Sequence, residues 1–204
     1  MNARWPLLLI PALLLAAVFS TFAATDIVVD VRPGTLLIGG GGDFKVRGTS
    51  DTGIGRLNEV EENSSLSTFP NIRLGVGFEE GKSITDVTGL LGVMVNQRFR
   101  SLMVGGDASW LYKFRKNVAM GPHLGAVVLT QPEWSGDAEV TFSDSWAMLG
   151  GFQMSVGYDI LFVFSIDYLL AQPFDVTTEG DWVASDEELD VSGVAIQFGI
   201  RGRF

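Results

Sequence analysis

Beyond residue 34 the chain alternates apolar positions with small or polar ones along successive stretches of 10 to 14 residues. A period of two is the signature of extended strands with two unlike faces. Bounded by turn residues, the pattern predicts eight strands: Thr35–Arg47, Pro70–Glu79, Asp86–Asn96, Ser101–Lys113, Asn117–Thr130, Ser145–Tyr158, Ile160–Ala171 and Val191–Phe204. Strands of soluble proteins usually run ~5–6 residues. A tilted strand crossing a bilayer needs ~9–11. The length excess points to a membrane.

The faces agree. Strand four sets Leu102, Val104, Ala108, Trp110, Tyr112 and Phe114 against Met103, Asp107, Ser109 and Lys113. Strand six sets Trp146, Met148, Phe152, Met154 and Tyr158 against Ala147, Gln153 and Ser155. Strand one sets Leu36, Ile38, Phe44 and Val46 against Leu37, Asp43, Lys45 and Arg47. In these strands one face carries no charge. A soluble barrel would turn that face inward; a membrane barrel turns it toward lipid. Aromatics near the strand ends, Trp110, Tyr112, Trp146, Tyr158 and Tyr168, form the interfacial girdle of a membrane barrel. The opposite face is rich in glycine and small residues, which suits a narrow interior. The predicted fold class is therefore all-β, an eight-stranded antiparallel up-and-down transmembrane β-barrel.

Connection lengths alternate as well. Gly48–Phe69, Gln131–Asp144 and Gln172–Asp190 are long, whereas Glu80–Thr85, Phe114–Lys116 and the Tyr158-Asp159 corner are short. Such barrels place long loops outside and short turns in the periplasm. This predicts both termini in the periplasm, with Gln97–Arg100 a short outer loop.

Composition narrows the reading. The first residues carry Arg4, an apolar run from Trp5 to Phe19 interrupted by Pro6 and Pro11, then Ser20-Thr21-Phe22-Ala23. This is the layout of a signal peptide over 1–23, cleaved after Ala23, and the run is short of the about 20 residues a spanning helix needs. Residues 24–34 are expected to be a periplasmic lead-in, with an extra turn of strand over Asp26–Val31 as the alternative, and 35–204 the barrel domain. The chain has no cysteine, so disulfides and thiolate metal sites are excluded. Its net charge of -10 argues against nucleic acid as a partner. No cofactor or metal site is expected.

The last strand ends Gln197-Phe198-Gly199-Ile200-Arg201-Gly202-Arg203-Phe204. It resembles the terminal strand of bacterial outer-membrane barrels, in which a final Phe and alternating apolar residues form the assembly signal. With the signal peptide, loop alternation and girdles, the chain resembles the small eight-stranded OmpA/OmpX/OmpW-like group. That resemblance implies the bacterial outer membrane as location. It also implies lipid and lipopolysaccharide as surroundings, and barrel-assembly machinery reading Phe198, Ile200 and Phe204.

The inward face then holds a polar network: Asp43, Lys45, Arg47, Arg73, Asp107, Lys113, His123, Gln153, Asp167, Gln197, Arg201 and Arg203. Both signs are present, so a self-paired plug is expected rather than a one-sign selectivity ring. His123 is the single histidine. Register places Asp107 opposite it with Ser109 one inward position along, the raw material of a hydrolase triad. Gly121-Pro122-His123-Leu124-Gly125 matches no lipase or acyltransferase motif, and a structural His–Asp pair is the expectation. The long loops are acidic, and Trp134, Phe174 and Trp182 within them are expected at the headgroup interface or around an apolar mouth. The function expected is a non-enzymatic barrel serving envelope integrity or surface interaction. The alternatives are a narrow channel for small or hydrophobic solutes, as in OmpW-like proteins, and a lipid A-modifying enzyme.

Overall fold

The structure, a computed structural model, describes residues 26–39, 41–42, 44–51 and 56–204. The expected signal peptide and Asp43 lie outside them. Eight strands form the wall: β1 (Asp26–Gly39), β5 (Asn71–Glu80), β6 (Ser83–Val95), β7 (Phe99–Arg115), β8 (Val118–Trp134), β10 (Ser145–Gly157), β11 (Ile160–Ala171) and β15 (Gly193–Arg203). Each pairs antiparallel with its neighbours, and β15 returns to β1, so the sheet closes and leaves no free wall edge. Ile27 and Phe204 exchange backbone hydrogen bonds at 2.8 and 3.0 Å where the two ends of the wall meet.

Seven short strands lie in the long connections: β2 (Lys45–Asp51), β3 (Arg56–Glu62), β4 (Leu66–Ser67), β9 (Val140–Phe142), β12 (Phe174–Thr178), β13 (Val183–Ala184) and β14 (Glu188–Leu189). β4 joins the wall beside β1; β2, β3 and β13 form one small sheet, and β9, β12 and β14 another. These sheets cap the loop end of the barrel. Two expectations are corrected here. The first wall strand stops at Gly39, so Lys45 and Arg47 belong to the cap and not the lumen. The segment 26–34 is not a lead-in but half of β1, paired to β15 on one side and β5 on the other.

The second has its cause in one irregularity. Val31 pairs with Ile200 and Gly34 with Phe198, so Arg32 and Pro33 together face Gly199. This is a β-bulge, and it inverts the alternation. Before it, Val28, Asp30 and Arg32 point inward; after it, Thr35 and Leu37 do. Pro33 has no N–H to lose, which suits it to the bulge. A Cβ on Gly199 would lie 2.7 Å from Arg32 Cγ, so the glycine makes room for Arg32 to cross the wall.

Apolar side chains face outward around the wall. Leu74, Leu91, Trp110, Leu124, Phe152, Phe162, Tyr168 and Phe198 are all at least half exposed. In water that surface would be prohibitive; in lipid it is the expected solvent-facing layer.

Candidate functional site: the filled lumen

The interior is built in two storeys. Nearer the turn end, inward positions of all eight strands supply polar groups. Arg201 on β15 is the hub. Its Nη2 and Nε donate to Asp30 Oδ2 at 2.7 and 3.1 Å, and its Nη1 to Asp86 Oδ2 at 2.6 Å. Arg32 donates to Asp30 (3.0 Å), Ser165 Oγ (3.2 Å) and the Gln153 carbonyl (2.5 Å). Arg73 pairs with Asp107 at 3.0 Å and donates to Gln197 Oε1 at 3.1 Å. Gln197 in turn donates to Asp167 at 2.6 Å. Arg32, Arg73 and Arg201 are 0–1 % exposed, so the network is shut off from bulk solvent.

His123 on β8 closes the network. Its Nδ1 lies 2.8 Å from Asp107 Oδ2, and its Nε2 meets Asp167 Oδ1. With a carboxylate on each ring nitrogen, both nitrogens donate only in the imidazolium form. Four buried cations (Arg32, Arg73, His123, Arg201) then face four buried carboxylates (Asp30, Asp86, Asp107, Asp167). The balance is what a sealed, low-dielectric interior demands. The arrangement differs from a Ser-His-Asp triad. Among the described residues Ser109 Oγ is buried without a hydrogen-bond partner, and both ring nitrogens of His123 face carboxylates.

Nearer the loop end the lumen is apolar. Leu37, Leu90, Met94, Met103, Val127, Leu129, Leu149 and Leu169 point inward and are 0–3 % exposed. Their cluster continues without a break into the cap through Phe44, Phe69, Phe99, Phe174, Trp182 and Leu189. Phe99 packs edge-on against Phe174 and Phe142, with ring centroids 5.0 and 5.3 Å apart. The expected exposed loop aromatics are thus corrected: Phe174 and Trp182 are buried and Trp134 packs on Phe44 at 5.6 Å. Phe44 and Val46, expected on the lipid face, are buried in the same core.

Among solved structures, the chain is similar to the outer membrane protein OprG from Pseudomonas aeruginosa, with a TM-score of 0.52 at 10% identity, over 90% of this chain and 98% of that one. The chain has the fold of an eight-stranded outer-membrane β-barrel. The outer membrane protein AlkL aligns over 90% of this chain and 92% of its own, at 16% identity and a TM-score of 0.42. No family model and no curated protein sequence matches the chain.

Within this outer-membrane barrel, Arg73, Asp107, His123, Gln153, Asp167, Gln197 and Arg201 meet in one network, as their inward positions imply. Lys113 and Arg203 sit at the turn-end rim instead. Lys113 Nζ pairs with Glu79 at 2.5 Å, and Arg203 links Asp86 (3.0 Å) to Asp26 (3.5 Å). Lys45 pairs with Glu62 in the cap at 2.7 Å, and Arg47 is exposed there. Asp30, Arg32 and Asp86 complete the network and were missed. Asp30 and Arg32 were hidden by the inverted alternation; Asp86 stood at a predicted strand end with no marked role. Trp110, Tyr112, Trp146, Tyr158 and Tyr168 all face outward, 42 to 72 % exposed. The terminal Phe198, Ile200 and Phe204 do as well.

The cap has a latch of its own. Glu61 on β3 is 2 % exposed and accepts from Trp134 Nε1 at 2.6 Å and from the Asp137 backbone N–H at 2.7 Å. It thereby ties the first long loop to the second, Gln131–Asp144. Glu61→Ala should break both part-buried hydrogen bonds, at about 1 kcal/mol each, and speed protease cleavage within 135–144 of the folded protein. Glu62→Ala, removing a half-exposed partner of Lys45, should leave cleavage unchanged. Among the described residues, no group of three or more acidic, histidine or cysteine side chains is placed to hold a metal.

Proposed function

We propose that the protein is a non-enzymatic outer-membrane barrel, sealed against ions, that serves envelope integrity or surface interaction through its wall and an ordered acidic cap. The turn end and both chain termini lie in the periplasm and the cap faces outward, with lipopolysaccharide around it. The terminal strand is the feature read by the barrel-assembly machinery. The observation that carries the reading is the double filling of the lumen. Water-soluble solutes meet a charge-balanced network in one half and an apolar core in the other, and the central side chains of both halves are buried. Exposed carboxylates of the cap, among them Glu139, Glu179, Asp186, Glu187 and Glu188, make the outer surface strongly acidic. Purified protein in planar bilayers should show no steady conductance. Reproducible single-channel openings by the wild-type protein would end the reading.

A second reading, a narrow passage for hydrophobic solutes, is favoured by a seam in the wall. Between Arg32 and Leu37 the backbone ladder from β1 toward β5 and β4 is interrupted, with Pro33 and Pro70 on its two sides. Side-chain bonds replace it: Thr68 Oγ1 donates to Thr35 O at 2.7 Å, and Phe69 N–H to Thr35 Oγ1 at 2.6 Å. An apolar cleft of about 420 Å³ lies there on the lipid side, bordered by Val31, Pro33, Pro70, Ile72, Leu91 and Val93. The double variant Thr35→Cys/Thr68→Cys, oxidised, would lock this seam. Hydrocarbon uptake into liposomes that stops on oxidation and returns on reduction would establish the passage; uptake no faster than into protein-free liposomes would remove it.

A further inference from the structure

A chain of net charge -10 would be expected to pair nearly every cation it has. Among the lysines and arginines with described side chains, Arg32, Lys45, Arg73, Arg98, Arg100, Lys113, Arg201 and Arg203 all reach a carboxylate. Arg47, Lys82, Arg115 and Lys116 make no ion pair among the described residues. Three of these four share one place. Lys82 on the β5–β6 turn and Arg115 and Lys116 on the β7–β8 turn border a cleft of about 480 Å³ at the turn-end rim.

The cleft straddles lipid and water. Its wall includes Phe114, 59 % exposed on the lipid face and stacked edge-on with Tyr112 at 5.1 Å. Lys82 Nζ is held 5.9 Å from the centre of the Tyr112 ring, so this ammonium rests on the lipid-facing wall. The adjoining Lys113 is already engaged by Glu79. Glu80, the last residue of β5, is an opposing charge, and Lys116 also borders a neighbouring pocket with Asp26, Glu79 and Asp159. Against Lys82, Arg115 and Lys116 it leaves the cleft with a net charge of +2 by simple addition of these four residues.

We propose that this cleft is a binding site for an anionic glycerophospholipid. The phosphodiester headgroup sits among Lys82, Arg115 and Lys116, and the acyl chains lie along Tyr112, Phe114 and the wall toward Trp110. Cations with aliphatic stems beside aromatic rings at a membrane rim are the chemistry that gathers phosphate from water and tails from the bilayer. A zwitterionic lipid brings a cation of its own and gains less. The inference needs only the membrane reading of the wall; it does not depend on whether the lumen conducts.

The test is native mass spectrometry of the full-length protein released from detergent, titrated with phosphatidylglycerol, cardiolipin or phosphatidylethanolamine. The wild-type protein should retain the anionic lipids about tenfold or more better than phosphatidylethanolamine. The variant Lys82→Gln/Arg115→Gln/Lys116→Gln should lose that preference, while Arg47→Gln keeps it and Lys82→Arg/Lys116→Arg restores it. Unchanged heat-modifiable gel migration shows that each variant folds; should the triple variant fail this check, Arg115→Gln alone is expected to weaken retention. Equal retention of all three lipids would overturn the proposal. So would a folded triple variant, or a folded Arg115→Gln, that binds as the wild type does, or displacement of the lipid by equimolar inorganic phosphate.

Discussion

Replacing Arg201 by Leu is expected to destabilise the barrel by about 3–5 kcal/mol, the scale of a buried ion pair robbed of one partner. Urea unfolding in lipid vesicles, followed by tryptophan fluorescence, measures it. The size follows from what is left behind. Asp30 and Asp86 would face a cavity with no hub between them, each with one remaining arginine, Arg32 and Arg203. Arg201→Lys should fall between: it keeps the charge but cannot donate to both carboxylates from a planar fork. The double change Asp86→Asn/Arg201→Met removes one charge of each sign and leaves Asp30 paired with Arg32. It should recover a large part of the loss, since the penalty lies in the unpaired carboxylates rather than in missing attraction. A wild-type unfolding midpoint for Arg201→Leu would show that the network does not hold the barrel.

Deleting Pro33 should be more severe. The deletion removes the extra residue of the bulge, and with β15 held in register it slips the segment 26–32 by one position. A one-residue slip exchanges the faces of a strand. Asp30 and Arg32 would turn to lipid and Ile27, Val29 and Val31 to the lumen. Each charge on the lipid face costs up to about 2–4 kcal/mol near the bilayer midplane, and the network loses its partners for Arg201 and Gln153. No heat-modifiable band should form on refolding into vesicles. Pro33→Ala, which keeps the residue count and hence the bulge, should refold. If the deletion variant refolded as well as the wild type, the bulge would not set the phase of β1.

How much of this was legible in the chain depends on where periodicity survives. From β6 to β15 the alternation holds through the middle of each wall strand, with register shifts only near the ends of the β7–β8 pair, so Asp107, His123, Asp167, Gln197 and Arg201 were placed inward from the sequence, and Trp110, Tyr112 and Trp146 outward. Where two residues face one, at Arg32–Pro33 opposite Gly199, a local pattern rule cannot see the change of phase, because the extra residue shows only in the partner strand. Asp30 and Arg32 were lost to that, and the wall was begun nine residues late, at Thr35 rather than Asp26. The alternation of Phe44, Val46 and Arg47 was real but belonged to a hairpin in the cap, where Phe44 and Val46 face its core.

The amino-acid sequence by itself determined that this protein is a membrane barrel: one uncharged face, strands long enough to span, and loops that alternate in length. Only the tertiary structure decided what fills the barrel and in what order. The partners of Arg201 lie 115 and 171 residues away along the chain, and the apolar storey joins residues from loops and wall alike. Such pairings arise when the sheet closes and strands remote in sequence turn their inner faces into one narrow space, which no single strand's pattern contains.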